Sequence, residues 1–496
     1  MPAGASGEPG GRLAWRLRKI ADGADQMVSF GPSPKRSTAW QSSCPQSPEV
    51  APDVRAGRRD AAGYAAAFAD AAPRLTRTQA LVAAERCLYC FDAPCVQACP
   101  TGIDVPSFIR RIGEDNLRGA ARTILDSNPL GGTCARVCPT EELCEQVCVR
   151  VAQEGKPVEI GRLQRYAVDA VMDRPVTALF TRAAPTGKRI AVVGAGPAGL
   201  ACAFGLARLG HEVVIHDAKP RGGGLNEYGL ATYKMAGDFA QAEIAWLMEI
   251  GGITLELGWR LDGAVQLASL RERFDAVYLG VGLTRTHALG VPGEDLAGVR
   301  DAIDFIADLR SAHDPAALPI GRRVVVIGGG MTAVDAAVQS RLLGAEDVHM
   351  VYRRGAEQMS ASLAEQHWAQ TNGVAIYHGL APVAIEGDGH GHAVAVRFAK
   401  SDGSEQVFAA DMVMKAIGQK FDDGVLAGAG LALEGGRVVA DADGRTGVAG
   451  LWAGGDCRAG GRDLTVEAVE DGKRAARSID ASLSRWAGEE KGARHG

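Results

Sequence analysis

The sequence has no apolar run long enough to cross a membrane. A spanning helix takes about 20 consecutive apolar residues, and no such stretch occurs among these 496 residues. The basic segment Trp15-Arg16-Leu17-Arg18-Lys19-Ile20 has no apolar stretch after it, so no secretory leader is expected. An excess of one charge is also missing. The 54 basic and 59 acidic residues give a net charge of −5 with the signs mixed, which offers no footprint for nucleic acid. Cysteine is nearly absent outside one window. Of 11 cysteines, eight fall between Cys87 and Cys148. That is not the spread of a secreted disulfide framework, and it points to a reducing, cytoplasmic setting and to metal ligation.

The length suits three or four domains, and 46% hydrophobic residues can supply a core to each. The 64 glycines are too many for an all-helical chain. They suit strand-to-helix turns where backbone approaches phosphate. Residues 1–72 are rich in Gly, Pro, Ser, Ala and Arg, with Pro32, Pro34, Pro45, Pro48 and Pro52 interrupting any regular element. They are expected to be a disordered extension or the product of a start assigned too far upstream. Cys44, alone in this stretch, reads as an incidental thiol.

The cysteine window contains Cys87-x2-Cys90-x4-Cys95-x3-Cys99-Pro100 and Cys134-x3-Cys138-Pro139-x4-Cys144-x3-Cys148. Short spacers let neighbouring thiolates converge on one iron–sulfur cubane, which a distant cysteine completes. By that logic Cys87, Cys90 and Cys95 share a cluster and Cys99, before a proline, crosses to another. Tetrahedral zinc is the alternative, but the irregular spacers and two Cys-Pro steps favour clusters. On count alone, eight cysteines fill two four-iron clusters.

Two glycine-rich loops follow. Gly194-Ala195-Gly196-Pro197-Ala198-Gly199 stands between an apolar strand at 189–193 and a helix at 197–209. Gly194 allows the tight turn, Gly196 lets backbone approach a pyrophosphate, and Gly199 lets helix and strand pack closely. Asp217 ends the next strand, where a carboxylate accepts ribose hydroxyl bonds. The cycle recurs at a strand over 323–327, Gly328-Gly329-Gly330-Met331-Thr332-Ala333, a helix over 332–343 and a strand over 348–352. Gly328, Gly330, Thr332 and Ala333 form this second dinucleotide loop. Its second strand ends in Arg353 and Arg354 rather than an acid. Two arginines can clamp a 2′-phosphate, which favours NADPH; as a merely solvated strand end they leave NADH open. Strands are also expected over 412–416 and 450–453.

Near the C-terminus, Leu451-Trp452-Ala453-Gly454-Gly455-Asp456 resembles the second flavin motif of two-dinucleotide flavoproteins, which implies that Gly455 and Asp456 bind FAD, with Asp456 on the ribityl chain. A helix starting at Thr465 can turn its positive end to the flavin ring. No Cys-x-x-Cys stands beside these motifs, and Cys202 and Cys457 are isolated. A disulfide-reductase mechanism is therefore not expected.

Taken in order, these motifs resemble the family of glutamate synthase small subunits and the N-terminal half of dihydropyrimidine dehydrogenase. Cys87-Leu88-Tyr89-Cys90, Cys99-Pro100-Thr101-Gly102-Ile103-Asp104, Asn128-Pro129-Leu130-Gly131-Gly132 and Cys138-Pro139-Thr140 carry the likeness. Gly223-Gly224-Leu225-Asn226-Glu227-Tyr228-Gly229-Leu230 resembles the dihydropyrimidine dehydrogenase branch, and adds Gly224 and Leu225 to the FAD site. The resemblance implies one cluster on Cys87, Cys90, Cys95 and Cys148. It implies a second on Cys99, Cys138, Cys144 and Gln164, with Cys134 a non-ligand. From spacing alone Gln164 would be an ordinary helix-surface residue.

The expected fold is α/β: an N-terminal α-helical di-cluster iron–sulfur domain, then two Rossmann-like domains for FAD and NAD(P)H. The expected boundaries are 73–182 for the [4Fe-4S] domain, 183–292 and 419–485 for the two parts of the FAD domain, 293–418 for the NAD(P)H domain and 486–496 for a tail. The resemblance implies that hydride passes from NADPH or NADH to FAD and that electrons leave singly through two [4Fe-4S] clusters. No FMN barrel or pyrimidine site is recognisable. The resemblance therefore implies a hetero-oligomer with a PreA-type dihydropyrimidine dehydrogenase subunit carrying FMN and iron–sulfur centres. No acid–base residue is assigned; Glu467 and Lys234 are the weak candidates. The alternatives are a glutamate synthase small subunit, a stand-alone ferredoxin–NADP reductase, and a non-enzymatic assembly scaffold.

Overall fold

Ten strands make two five-stranded parallel sheets. They are β1 (Arg189–Val193), β2 (Glu212–Asp217), β3 (Ile253–Leu257), β4 (Ala276–Leu279), β5 (Val299–Asp301), β6 (Arg323–Ile327), β7 (Asp347–Tyr352), β8 (Ala375–His378), β9 (Met412–Lys415) and β10 (Leu451–Ala453). The first sheet has the order β10-β4-β1-β2-β3 and the second β5-β9-β6-β7-β8. In each, the central strand is exposed only at its opening arginine and buried over the next four residues. A parallel strand covered on both faces requires that continuous apolar run. The computed structural model describes residues 57–493, all within one compact unit. Cys44 and residues 1–56, and the last three residues, lie outside it.

Both sheets place a glycine loop at the carboxyl end of the central strand. After β1, the Pro197–Arg208 helix begins with Pro in its first turn, where the missing N–H costs nothing. After β6, the Met331–Leu343 helix ends on left-handed Gly344. Strand β10 reaches the first sheet from the far end of the chain, pairing with β4. The helix after it, Thr465–Ala493, packs on the Pro197–Arg208 helix. The approach is close: a Cβ on Gly472 would lie 2.1 Å from the Ala198 carbonyl oxygen. The closing helix runs into the segment expected as a tail.

The cysteine-bearing region is helical. The Val105–Gly113 helix buries Val105, Phe108, Ile109 and Ile112 on one stripe, and Asp104 caps it by accepting from Ser107 N–H at 3.1 Å. That stripe joins Ile124, Leu125, Leu130 and Leu163 in one core. A three-stranded antiparallel sheet (Leu380–Gly387, Ala393–Lys400, Glu405–Ala409) adjoins the second parallel sheet.

The expectation of a disordered stretch to residue 72 fails from residue 61 onward. Ala61–Ala67 is a helix capped by Asp60. Tyr64 is buried and its hydroxyl donates to the Leu343 carbonyl at 3.0 Å, while Ala71 N–H donates to the Tyr233 carbonyl at 3.0 Å. One aromatic anchor on the end of another helix orders this short segment. Periodicity carries no trace of that.

Candidate functional site

Cys87, Cys90, Cys95 and Cys148 line one cavity, walled by Leu88, Pro94, Pro106 and Ile109. Burial pushes the Cys95 thiol up to about 12, with Cys87, Cys148 and Cys90 adding to the rise. Burial also raises Cys87. The Cys87 and Cys95 thiols, buried in an apolar chamber, resist ionising unless a cation compensates. Among the described residues no three His, Cys, Asp or Glu side chains meet around a single-ion centre. Soft sulfur donors lining a chamber, rather than a point, fit a cluster better than tetrahedral zinc.

A second group forms beside it. The Cys138 thiol is raised well above its ordinary value by a hydrogen bond with Cys134 and by burial, with Cys144 and Cys99 also close. Cys144 is likewise raised by burial, near Cys99 and Cys95. The structure thus brings Cys99, Cys134, Cys138 and Cys144 together. Gln164 is buried, contrary to the spacing-based expectation of a surface position. It lies on the Ile160–Asp169 helix, and its Nε2 donates to the Gly131 carbonyl at 2.7 Å. Gly131 opens the Gly131–Val137 helix, which carries Cys134 and ends against Cys138. Tying down the amide nitrogen leaves Oε1 as the free end of the side chain.

The first glycine loop is tightly enclosed. Gly194 has φ +105°, and a Cβ there would meet the Gly280 carbonyl oxygen at 2.2 Å. A Cβ on Gly199 would lie 1.9 Å from the Gly194 oxygen. Gly224 faces Gly196, and its own Cβ would sit 2.9 Å from the Gly196 Cα. The paired glycines leave a cradle of bare backbone at the start of the Pro197–Arg208 helix, which suits a pyrophosphate. Asp217 accepts from Ala195 N–H at 2.7 Å and Lys219 N–H at 2.8 Å. Asp456 is pushed up to about 7 by burial, reinforced by Asp463 and opposed by Arg437. No hydrogen bond among the described residues reaches its carboxylate.

Three further residues shape this site. Asn226 accepts from the Thr465 hydroxyl at 2.9 Å and joins the Gly224-Leu225 turn to the closing helix. Asp471 accepts from Gly455 N–H at 2.9 Å and pairs with Arg458 at 3.0 Å, fixing the turn that presents Asp456. Asn226 stood inside a motif without a role of its own, and Arg458 and Asp471 were visible only as ordinary polar residues.

Around Thr465 the flavin side meets the second cysteine group. Leu464 and Val466 pack with Cys134 and Cys138 in one apolar cluster, and Lys473 Nζ donates to the Thr101 carbonyl at 3.2 Å, two residues from Cys99.

The second glycine loop is lined by different groups, the Tyr352 ring among them, 2.5 Å from where a Cβ on Gly329 would lie. A Cβ on Gly328 would meet the Ala416 oxygen at 2.2 Å, yet one on Gly330 would meet only the Ser360 hydroxyl at 3.2 Å. Thr332 and Ala333 lie in the first turn of the helix, Ala333 packed into the core. Arg353 and Arg354 are both exposed at the end of β7, and the Arg354 guanidinium lies over the Tyr352 ring at 5.6 Å.

The acid–base candidates are committed elsewhere. Glu467 is ion-paired with Arg462. Lys234 is held between Asp335 and Glu365, which keep its ammonium protonated despite burial. Cys202 and Cys457 are separately buried in apolar cores. The Cys457 thiol donates to the Gly454 carbonyl at 3.3 Å.

The family model for dihydropyrimidine dehydrogenase domain II, 4Fe-4S cluster, matches residues 64–176, and that for pyridine nucleotide-disulphide oxidoreductase matches residues 188–472. The chain is 35% identical to the NAD-dependent dihydropyrimidine dehydrogenase subunit PreT of Salmonella typhimurium, over 70% of this chain and 81% of that protein. It is 33% identical to the glutamate synthase (NADPH) small chain of Escherichia coli, over 81% of this chain and 91% of that one. The fold is shared with FprA of Mycobacterium tuberculosis, solved in complex with NADPH, at a TM-score of 0.50 and 19% identity over 62% of this chain and 86% of that one. The chain belongs to the family of PreT and the glutamate synthase small chain: FAD-dependent NAD(P)H oxidoreductases with a 4Fe-4S domain ahead of a pyridine nucleotide-disulphide oxidoreductase domain.

Proposed function

We propose that this chain is the electron-input subunit of a dihydropyrimidine dehydrogenase. It would oxidise NAD(P)H and pass electrons to a PreA-type partner, whose FMN site reduces uracil or thymine or runs the reverse reaction. The observation that carries this reading is the packing of Cys134 and Cys138 on Leu464 and Val466. It sets the second cysteine group against the helix start that faces the flavin site. The cofactors supply the redox chemistry: FAD accepts a hydride, and iron–sulfur clusters carry single electrons.

The residues supply binding and orientation. Gly194, Gly196, Gly199, Gly224 and Leu225 present backbone to the FAD pyrophosphate. Asp217 takes the ribose, Gly455 and Asp456 take the ribityl chain, and Thr465 opens a helix whose positive end faces the ring. Cys87, Cys90, Cys95 and Cys148 hold one cluster. Cys99, Cys138, Cys144 and Gln164 hold the other, and Cys134 packs beside it without ligating. Gly328, Gly330, Thr332 and Ala333 cradle the nicotinamide dinucleotide. Arg353, which pairs with no acid among the described residues, and its neighbour Arg354 favour NADPH by offering charge to a 2′-phosphate.

The test is reconstitution. Anaerobically purified protein with FAD, iron and acid-labile sulfide should be bleached by NADPH. Mixed with an FMN-containing partner subunit, it should consume uracil. A glutamate synthase small chain is the second reading, favoured by the 91% coverage of that relative. Activity with glutamine and 2-oxoglutarate in the presence of a large amidotransferase, and none with uracil, would decide for it. Cys134→Ala should retain the iron of both clusters, whereas Gln164→Leu should lose that of the second.

A further inference from the structure

A buried lysine joins the flavin and nicotinamide modules at a place where hydride transfer needs no charge. Lys234 follows the Leu225–Tyr228 helix on the flavin side. Its Nζ lies 2.7 Å from Asp335 Oδ1 and 2.7 Å from Glu365 Oε1. Both carboxylates belong to the nicotinamide side. Asp335 is one turn into the Met331–Leu343 helix that begins on the second glycine loop. Glu365 is in the Leu363–Thr371 helix.

The same stretch of chain is bonded again at each neighbouring residue. Ala231 N–H donates to Asp335 Oδ2 at 3.1 Å, and the Tyr233 hydroxyl donates to Oδ1 at 3.3 Å. Thr232 donates to Gln339 through its N–H at 3.0 Å and its hydroxyl at 3.1 Å. The segment just ahead of Glu365 touches the nucleotide loop itself, since Ala361 N–H donates to the Gly329 carbonyl at 3.0 Å. Lys234 is therefore a buried cation shared by two carboxylates at a seam between two modules, and Arg310 of the Ala302–Ser311 helix reaches across the same seam to the Leu230 carbonyl at 3.3 Å. Without it, Asp335 and Glu365 would face each other unneutralised, and charges buried in that way force their surroundings apart.

We propose that Lys234 is a positioning residue for hydride transfer, holding the second glycine loop at the separation from the flavin site at which the reaction proceeds. The inference rests on the reading of the two loops as FAD and NAD(P)H sites. In the step it serves, a hydride leaves the nicotinamide, which is oxidised, and joins the flavin, which is reduced; no other reactant is required. Reacting atoms must come within about 3–3.5 Å, and a misplacement of about 1 Å slows a reaction on the order of 100-fold. Lys234 touches neither cofactor in this role. It acts through the two helices it clamps.

The test uses the flavin- and cluster-loaded chain mixed anaerobically with NADPH, and separately with NADH, in a stopped-flow instrument. In Lys234→Met, flavin reduction should slow roughly 10- to 100-fold, while flavin and iron content and the Kd of the oxidised nucleotide stay at wild-type values. Amide exchange over residues 231–235 and 331–339 should rise in the same variant without nucleotide. Lys234→Arg should recover most of the rate. If Lys234→Met does not load flavin, Glu365→Gln removes one carboxylate charge and leaves the Asp335 pair, and should slow reduction several-fold. Wild-type rates in the loaded fraction of either variant overturn the proposal, because a purely stabilising lysine would lower only the yield. Wild-type protein that neither nucleotide bleaches would instead overturn the functional reading beneath it.

Discussion

The two glycine loops are built from the same strand, turn and helix, and they differ in what covers them. Over the first lie the Gly223–Gly224 turn, the Gly455–Asp456 turn and the closing helix, whose Gly472 crosses the Ala198 carbonyl so closely that no side chain fits. The second is lined by neighbours from its own sheet and its connecting loops, Ala416, Tyr352 and Ser360, and its strand ends in two exposed arginines. The first loop suits a cofactor that stays through many turnovers. The second, with its exposed strand end, suits a dinucleotide that must enter and leave at each one. One topology serves both because the enclosing residues come from segments remote in sequence.

Substitutions at the two loops should separate these roles. The largest effect is expected from Gly199→Ala, whose Cβ would meet the Gly194 oxygen at 1.9 Å. It should cost about 3 kcal/mol by overpacking and yield protein without flavin, measured by denaturation and by absorbance. Next is Asp456→Asn. Burial holds this carboxyl at about 7 against an ordinary 3.8. The folded chain therefore binds more protons than the unfolded one across that interval, and stability drains away as pH rises through it. In cofactor-free protein the Asn variant should match wild type near pH 4. It should exceed wild type by about 2–4 kcal/mol above pH 7. Urea titrations at several pH values read this directly, and a constant offset would contradict it.

At the second loop the effects should fall on the nucleotide alone. Arg353→Ala combined with Arg354→Ala should lower kcat/KM for NADPH by roughly 10- to 100-fold, the worth of charge-assisted bonds to a phosphate. NADH use and flavin content should change little. An equal loss with both nucleotides would remove the NADPH preference. The smallest effect on folding is expected from Gly330→Ala, below about 0.5 kcal/mol, since only a serine hydroxyl must yield. Its consequence should be a raised KM with flavin fully retained. Loss of flavin in that variant would erase the distinction between the loops.

The sequence made the repeated strand–loop–helix units legible because their signals are local. Four buried apolar residues precede each loop, the glycines follow at fixed spacing, and Pro197 or Gly344 marks a helix end. The two cysteine runs were legible for the same reason, whereas the place of Cys148 beside Cys87, Cys90 and Cys95 came only from the family resemblance. Contacts made at a distance were not. Tyr64 orders its helix through Leu343, and Gln164 is buried through Gly131. Asn226 and Asp471 matter through Thr465 and Gly455. Lys234 read as a weak acid–base candidate because its two carboxylate partners lie far along the chain. In each case the side chain is unremarkable and the partner defines the role.

Ser362 shows where this leads. Its hydroxyl accepts from Glu365 N–H at 3.2 Å, closing the first turn of the Leu363–Thr371 helix, and donates to Glu141 Oε1 at 2.5 Å, between Cys138 and Cys144. One oxygen thus completes a secondary-structure element in one module and a docking contact with another. The boundaries along the chain are then not boundaries of cooperativity. Heat should melt the loaded protein in a single calorimetric transition rather than module by module, and Ser362→Ala should lower its midpoint by the worth of one hydrogen bond, about 1 kcal/mol, without splitting it.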